Sequence, residues 1–163
     1  MRTYIGIDPG SKGYITIYNA EKGNYHISIA DHSFSEIGMM LGRVKEKYPD
    51  VFAVMEEVHA VYGSSARGTF SFGEVFGLLQ GLLIATKIPY HLVQPKEWQK
   101  EIWINADKVF KTAHTIDTKA TSLNAAERLF PGYDFKRTPA CKKADDNKVD
   151  SMLICEFAKR KNL

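Results

Sequence analysis

Apolar and polar residues alternate in three short segments at the start of the chain, around 4–8, 14–18 and 25–29. This period of two is typical of β-strands. Turn-forming residues separate the segments, first Pro9-Gly10 and then a four-residue turn over 21–24. Proline lacks the N–H that a strand needs, and glycine favours turn geometry. The pattern therefore predicts an antiparallel meander of three strands.

The rest of the chain switches between helical spacing and short apolar runs. A helix is predicted over 33–48, with Ser33 or Ser35 as its N-cap and Pro49 at its end. The continuous apolar run 51–55 predicts a strand that is buried on both faces. The remaining predicted elements are an exposed loop over 59–69, a long helix over 70–87, a strand over 89–93, a helix beginning near Pro95, a helix over 118–130, a basic loop over 136–143 and a last helix from Ala144 or Asp145.

Length and composition indicate one domain over residues 1–163, because 163 residues with 44% apolar content can bury a sizeable core. The two cysteines lack the spacing of a zinc site, which is typical of a reducing compartment. No apolar run reaches the roughly 18 residues that a membrane span needs. We therefore expect a cytoplasmic protein with no membrane association.

Charge is distributed unevenly along the chain. Residues 1–82 carry 7 Lys/Arg and 9 Asp/Glu, whereas residues 83–163 carry 15 and 10. In the basic half, lysines and an arginine between 136 and 148 lie close to a group of acids. Basic groups beside carboxylates suit a polyanion that is held over a metal site, although a solvated surface would have the same composition.

Acidic residues follow the predicted strands and begin the last helix. Asp8 ends the first strand, Glu56 and Glu57 end the buried strand, and Asp146 and Asp150 are four residues apart on one helical face. A turn or a helix N-terminus would explain a single acid, but Asp150 lies a full turn inside its helix. Because Mg²⁺ and Mn²⁺ prefer oxygen ligands, the three segments together indicate a divalent metal site.

Glycines recur every four residues in the long predicted helix, at Gly73, Gly77 and Gly81. Each glycine costs a helix about 1 kcal/mol relative to alanine, so close packing must offset them. The surface that packs there is either the sheet of the same chain or the matching helix of a two-fold partner.

Motifs along nearly the whole chain resemble the RuvC-type Holliday-junction resolvases of the RNase H-like superfamily. They are IGIDPGSKG, VMEEVHA, FGLLQGLLIA, VQPKEWQK, TKATSLNAAERLFPG and DDNKVDSMLICEFAKR. The resemblance implies an α/β fold, in which helices flank a mixed five-stranded sheet whose first three strands are antiparallel. It also implies a homodimer and two Mg²⁺ ions per active site, for which Mn²⁺ substitutes.

By the same resemblance, the catalytic metal ligands are Asp8, Glu56 and Asp150, with Asp146 as the fourth. Lys96 and Lys119 match basic residues near the scissile phosphate. From their residue types and positions, further DNA contacts are expected from Tyr62, Arg67 and Phe70 on the loop and helix start, and from Lys142 and Lys143 in the basic loop. The alternative is that Phe70 caps the core and Tyr62 is merely exposed.

Two details differ from the cellular bacterial members. Those usually place the last two acids three apart, where this chain has Asn147, and the four-residue spacing of Asp146 and Asp150 is similar to phage-type members instead. VMEEVHA offers two adjacent acids, and its apolar residues align Glu56 with the catalytic position. Glu57 is the alternative.

The function expected from these residues is Mg²⁺-dependent cleavage of four-way DNA junctions by symmetric nicking. Alternatives are an RNase H-like nuclease for other branched DNA or RNA–DNA hybrids, and a junction-binding module without catalysis. An ATPase of the actin and sugar-kinase type also begins with strand-Asp-x-Gly, but it needs two related lobes. The sequence does not indicate whether a helicase partner takes part.

Overall fold

A computed structural model describes residues 2–57 and 65–163. Its main sheet has the order β3-β2-β1-β4-β5. The first three strands pair antiparallel, and β1, β4 and β5 pair parallel, as the resemblance implied. The five strands are β1 (Thr3–Asp8), β2 (Tyr14–Asn19), β3 (Gly23–Ser28), β4 (Val51–Glu56) and β5 (Tyr90–Val93).

In the described part of the chain, five α-helices cover the two faces of this sheet. Helices α1 and α2 share one apolar core with the sheet, and α3, α4 and α5 share the other. The predicted cap of α1 is confirmed, since Ser33 and Glu36 form a reciprocal capping box. The helices are α1 (Phe34–Lys47), α2 (Ala66–Ala85), α3 (Pro95–Ile102), α4 (Thr118–Leu129) and α5 (Asp146–Lys161).

Helix α5 lies unusually close to the middle of β1, at Gly6. A Cβ atom at Gly6 would lie 2.2 Å from the backbone oxygen of Ser151 and 2.3 Å from the backbone nitrogen of Cys155. Both distances are far below van der Waals contact, so only glycine permits this approach. The Thr16 hydroxyl on β2 also lies 2.7 Å from the Ser151 hydroxyl, and this hydrogen bond ties the same helix to a second strand.

Two sequence expectations are corrected here. Helix α2 begins at Ala66 rather than at Phe70, because the Ser65 hydroxyl accepts a hydrogen bond from the Gly68 N–H and caps the helix. Residues 66–69 of the expected loop are therefore helical, and 59–64 lie outside the described residues. A small hairpin of β6 (Phe110–Thr112) and β7 (Thr115–Ile116) was not predicted, since strands this short have almost no periodicity.

Helix α2 exposes an apolar face. Phe70, Leu78 and Ile84 are 74%, 42% and 64% exposed. A Cβ atom at Gly73, Gly77 or Gly81 would meet no heavy atom within 4 Å outside the helix, so packing within the chain does not explain these glycines. By length and composition this helix could also cross a membrane, contrary to the expectation from apolar runs, but a single such helix is weak evidence.

Candidate active site

Asp8 and Glu56 lie side by side at the C-terminal ends of two neighbouring strands. They end β1 and β4, which are parallel neighbours in a register that pairs Ile7 with Met55. The next residue on each strand is the acid, so the two carboxylates lie at the same end of the sheet. The sequence prediction that acids follow these strands therefore corresponds to a real cluster.

Asp150 joins this pair from α5, the helix that contacts β1 at Gly6. Among the neighbouring charges, that of Asp150 raises the pKa of Asp8 most, and that of Glu56 has the second largest effect. Three acids that are distant in sequence are thus within electrostatic range of one another.

All three carboxyl groups are held in an environment that disfavours their charge. Burial raises the pKa of Asp8 well above its ordinary value, and the neighbouring charges add to this effect. Burial raises the pKa of Asp150 to about 7, although a hydrogen bond from Ser122 opposes the shift. Burial also raises the pKa of Glu56, and a hydrogen bond from Trp98 opposes it. A divalent cation would offset the cost of burying these negative charges and the repulsion between them.

Trp98 on α3 fixes the orientation of Glu56. Its indole Nε1–H donates to Glu56 Oε2 over 2.7 Å, and the side chain is fully buried. A buried indole N–H needs an acceptor, and here the acceptor is a site carboxylate. Trp98 therefore holds one oxygen of Glu56 and leaves the other for a ligand.

The fourth acid, Asp146, is paired with a lysine. Lys119 Nζ lies 2.7 Å from Asp146 Oδ2, and both side chains are partly exposed. Asp145 caps α5 by accepting hydrogen bonds from the backbone N–H groups of Asn147 and Lys148, as its position at the helix start favours. Asp145 still contributes to the raised pKa of Asp8, but it comes after Asp150 and Glu56.

The donor set fits a magnesium or manganese ion. It consists of carboxylate oxygens only, which these hard cations prefer. Asp150 Oδ1 is shielded from solvent and has no hydrogen-bond partner among the described residues. A buried carboxylate oxygen without a partner is costly, and a cation would satisfy it. Within the described ranges, however, no group of three or more Asp, Glu, His or Cys side chains is arranged so that it could hold a metal ion.

A groove of about 590 Å³ adjoins this cluster at Asp146 and Lys119. Lys142 and Lys143 line it and are exposed. Two other basic residues of the predicted cluster have structural partners instead. Arg137 pairs with Asp31 at 2.6 Å, and Lys148 Nζ donates to the carbonyl oxygens of Asp134 and Lys136.

The remaining predicted site residues lie on α2, on α3, after β4 or outside the described residues. Lys96 is exposed in the first turn of α3, two residues before Trp98. Arg67 is exposed in the first turn of α2, and Phe70 projects from that helix. Tyr62 lies outside the described residues. Glu57 follows β4, and its backbone N–H donates to Val93 on the neighbouring strand.

Three solved structures resemble this chain over almost its whole length. Thermus thermophilus RuvC in complex with Holliday junction substrate is 12% identical, with a TM-score of 0.60, over 99% of this chain and 96% of that chain. A second Thermus thermophilus RuvC structure is 14% identical, with a TM-score of 0.59, over 98% and 96%. The chain has the RuvC fold.

A third structure with this fold is the yeast mitochondrial Holliday junction resolvase Ydc2. It is 16% identical, with a TM-score of 0.55, over 96% of this chain and 77% of that chain. No family model and no curated protein matches the sequence. The RuvC fold confirms the predicted RNase H-like architecture, and at this level of identity the likeness concerns the fold alone.

Sequence reasoning missed the residues that support the acids of this RuvC fold. Trp98 belongs to an apolar helical pattern with Ile102, and the signal was its indole N–H, which must find a partner when it is buried. Gly6 interrupts an otherwise apolar strand, which is a known sign of close backbone approach. Ser122 gave no signal, because a serine inside a helix has several ordinary explanations.

Proposed function

We propose that this chain is a Mg²⁺-dependent endonuclease that resolves four-way DNA junctions by symmetric nicking. The observation that carries the proposal is the cluster of Asp8, Glu56 and Asp150, whose charges burial and mutual repulsion disfavour. Thermus thermophilus RuvC, which has the same fold, was solved in complex with a Holliday junction substrate. That likeness supports a junction as substrate, and the acids support hydrolysis.

In this proposal, each charged residue of the site has one task. Asp8, Glu56 and Asp150 would hold the metal, and Asp146 would be free to join them if Lys119 paired with a DNA phosphate instead. When bound, the ions supply an activated water and stabilise the leaving oxygen of the phosphodiester. Lys119 and Lys96 stabilise the negative charge that develops on the phosphate. Trp98 keeps Glu56 oriented throughout.

The direct test is cleavage of a synthetic four-way junction by the purified protein, with and without Mg²⁺. We expect paired nicks at symmetric positions on two strands of the same polarity, and no cleavage in EDTA. Linear duplex and RNA–DNA hybrid of the same sequence serve as comparison substrates. Preferential cleavage of the hybrid would contradict junction resolution, and binding without any cleavage would contradict the catalytic assignment.

A homodimer would bring two such sites to one junction, and α2 offers the surface for it. The exposed face of this helix combines three unfilled glycine positions with Leu78 and Ile84. Small residues allow two helices to approach closely, and an exposed apolar patch of this kind marks an interaction site. We place the two-fold contact there.

Gly77→Leu should convert this dimer into a folded monomer. Nothing lies within 4 Å of the added Cβ in one chain, and leucine improves helix propensity by about 0.8 kcal/mol, so the monomer should remain stable. Sedimentation velocity would show the halved mass, and circular dichroism the retained helix. Gly42→Leu in α1, where the space is also open, is the matched control. A dimer that survives Gly77→Leu would assign the contact to another surface.

The groove beside Asp146 should bind DNA phosphates through Lys142 and Lys143. Each phosphate contact adds about 0.9 to the slope of log affinity against log salt for duplex DNA. Lys142→Ala and Lys143→Ala should therefore each flatten that slope by about 0.9 without changing which DNA structure is preferred. Binding titrations on junction and duplex at several salt concentrations measure both. Lys22→Ala, at the far end of the sheet, should leave the slope unchanged.

Phe70 should stack on bases that are unpaired at the junction centre. Its exposure of 74% shows that it does not fill the core, and base stacking on an aromatic side chain contributes roughly 1–3 kcal/mol. Fluorescence of 2-aminopurine at the centre should rise on binding of the wild type and not of Phe70→Leu. An unchanged rise with Phe70→Leu would leave recognition to phosphate geometry or to Tyr62.

A further inference from the structure

A second concave site lies on the α1 side of the sheet. It is a groove of about 380 Å³ between the outer end of the β2–β3 hairpin and the last turns of α1. Ile17, Met40 and Val44 provide its apolar lining, and the Tyr25 ring at its side is 57% exposed. Ligand clefts span about 300–1,000 Å³, so this groove suits a few side chains rather than a folded domain.

The rim of this groove is basic. Lys22 on the hairpin and Arg43 and Lys47 on α1 all line it and are exposed. Among the described residues that form the groove, none is acidic. Three cations around an apolar floor, without a compensating carboxylate, are complementary to an anionic ligand that also carries an apolar group.

The groove also borders the edge of the sheet. Strand β3 is the outermost strand, and its outer side pairs with no other strand in the described part of the chain. Such an edge offers backbone N–H and C=O groups to an added strand, and an extended peptide is the ligand that uses them. The edge and the cationic rim together favour a peptide over a compact anion.

The groove is far from the acid cluster. Along β2, Tyr14 lies opposite Asp8, whereas Asn19 at the other end donates a hydrogen bond to Thr3 at the start of β1. Asn19 lines the groove. A ligand bound here therefore approaches from the end of the sheet opposite to Asp8 and Glu56.

We propose that this groove, bounded by Ile17, Tyr25, Arg43 and Lys47, binds an extended acidic segment of a partner protein. An apolar side chain of the segment sits on Ile17, Met40 and Val44. Its carboxylates pair with Arg43, Lys47 and Lys22, and its backbone adds to the edge of β3. The groove is a docking site that is separate from the nuclease chemistry and does not depend on it.

Selection from a random twelve-residue peptide library displayed on phage tests this proposal on the full chain. We expect enriched peptides with Asp or Glu on both sides of a large apolar residue. As synthetic fluorescent peptides, they should bind Arg43→Glu at least tenfold more weakly than the wild type. Lys100→Glu, an exposed charge reversal on α3 outside the groove, should bind them normally.

Three outcomes would overturn the proposal. One is enrichment of peptides without acidic residues, or of none at all. Another is equal peptide affinity of Arg43→Glu and the wild type. The third is a loss of junction-DNA affinity in Arg43→Glu as large as its loss of peptide affinity, since the groove would then be a DNA surface. None of these readouts requires cleavage, so the docking site and the nuclease can fail separately.

Discussion

Asp8→Asn should abolish junction cleavage while the fold and junction binding are retained. The amide preserves the volume of the side chain but removes the charge that a divalent cation needs. Metal stabilisation of a developing charge amounts to several kcal/mol, and a loss of about 4 kcal/mol slows the reaction roughly a thousandfold. Single-turnover cleavage at saturating Mg²⁺ measures the rate, and a gel-shift assay in Ca²⁺ measures binding.

Asp145→Asn is the matched control for this experiment. Asp145 is also near Asp8, but its carboxylate caps α5, and asparagine caps a helix about as well as aspartate. The control should therefore cleave at close to the normal rate. A near-normal rate for Asp8→Asn, or an equal loss in both variants, would show that Asp8 is not a metal ligand.

The metal-free protein should lose stability as the pH rises from 5 to 8, and Asp150 should contribute to this loss. Its pKa is about 7 in the folded chain and near its ordinary value of 3.8 in the unfolded chain. A folded-state pKa above the unfolded value means that the stabilising contribution is complete below pH 3.8 and is lost as the pH rises through 7. Between pH 5 and 8 this amounts to ~3 kcal/mol.

Urea unfolding in EDTA at both pH values would measure this loss. Asp150→Asn should reduce the pH dependence and should be more stable than the wild type at pH 8. A dependence of the same sign should remain, because burial also raises the pKa values of Asp8 and Glu56. A wild type that is equally stable at pH 5 and 8 in EDTA would contradict the buried placement of Asp150.

Mg²⁺ should raise the stability of the wild type at pH 8 and have little effect at pH 5. The cation binds ionised carboxylates, and Asp150, whose pKa is about 7, is mostly ionised only at the higher pH. Binding to the folded state stabilises it by mass action. Loss of the Mg²⁺ effect in Asp150→Asn would connect the titration to the metal site.

The acids of the site were predictable from the sequence because strand ends and helical spacing place them. A carboxylate directly after an apolar run lies at the end of the strand, and this holds for both Asp8 and Glu56. The four-residue spacing of Asp146 and Asp150 put both on one face of α5. Local pattern is sufficient for such positions, since neighbouring residues decide them.

Contacts between distant segments were not predictable in the same way. The hydrogen bond from Trp98 to Glu56 joins residues 42 apart, and the pairing of Lys119 with Asp146 joins α4 to α5. The start of α2 was missed because Ser65 was hidden among other small residues of an apparent loop. The two side-chain contacts depend on tertiary packing, and the start of α2 depends on one capping side chain. The spacing of apolar residues along the sequence indicates neither.

The contact at Gly6 also limits which substitutions could move the acid cluster. Backbone atoms of β1 and α5 touch directly, so the relative position of Asp8 and Asp150 does not depend on the size of intervening side chains. Substitutions among the apolar residues elsewhere in both cores should then leave the spacing of these two acids unchanged, whereas any side chain at Gly6 would displace α5, and Asp150 with it.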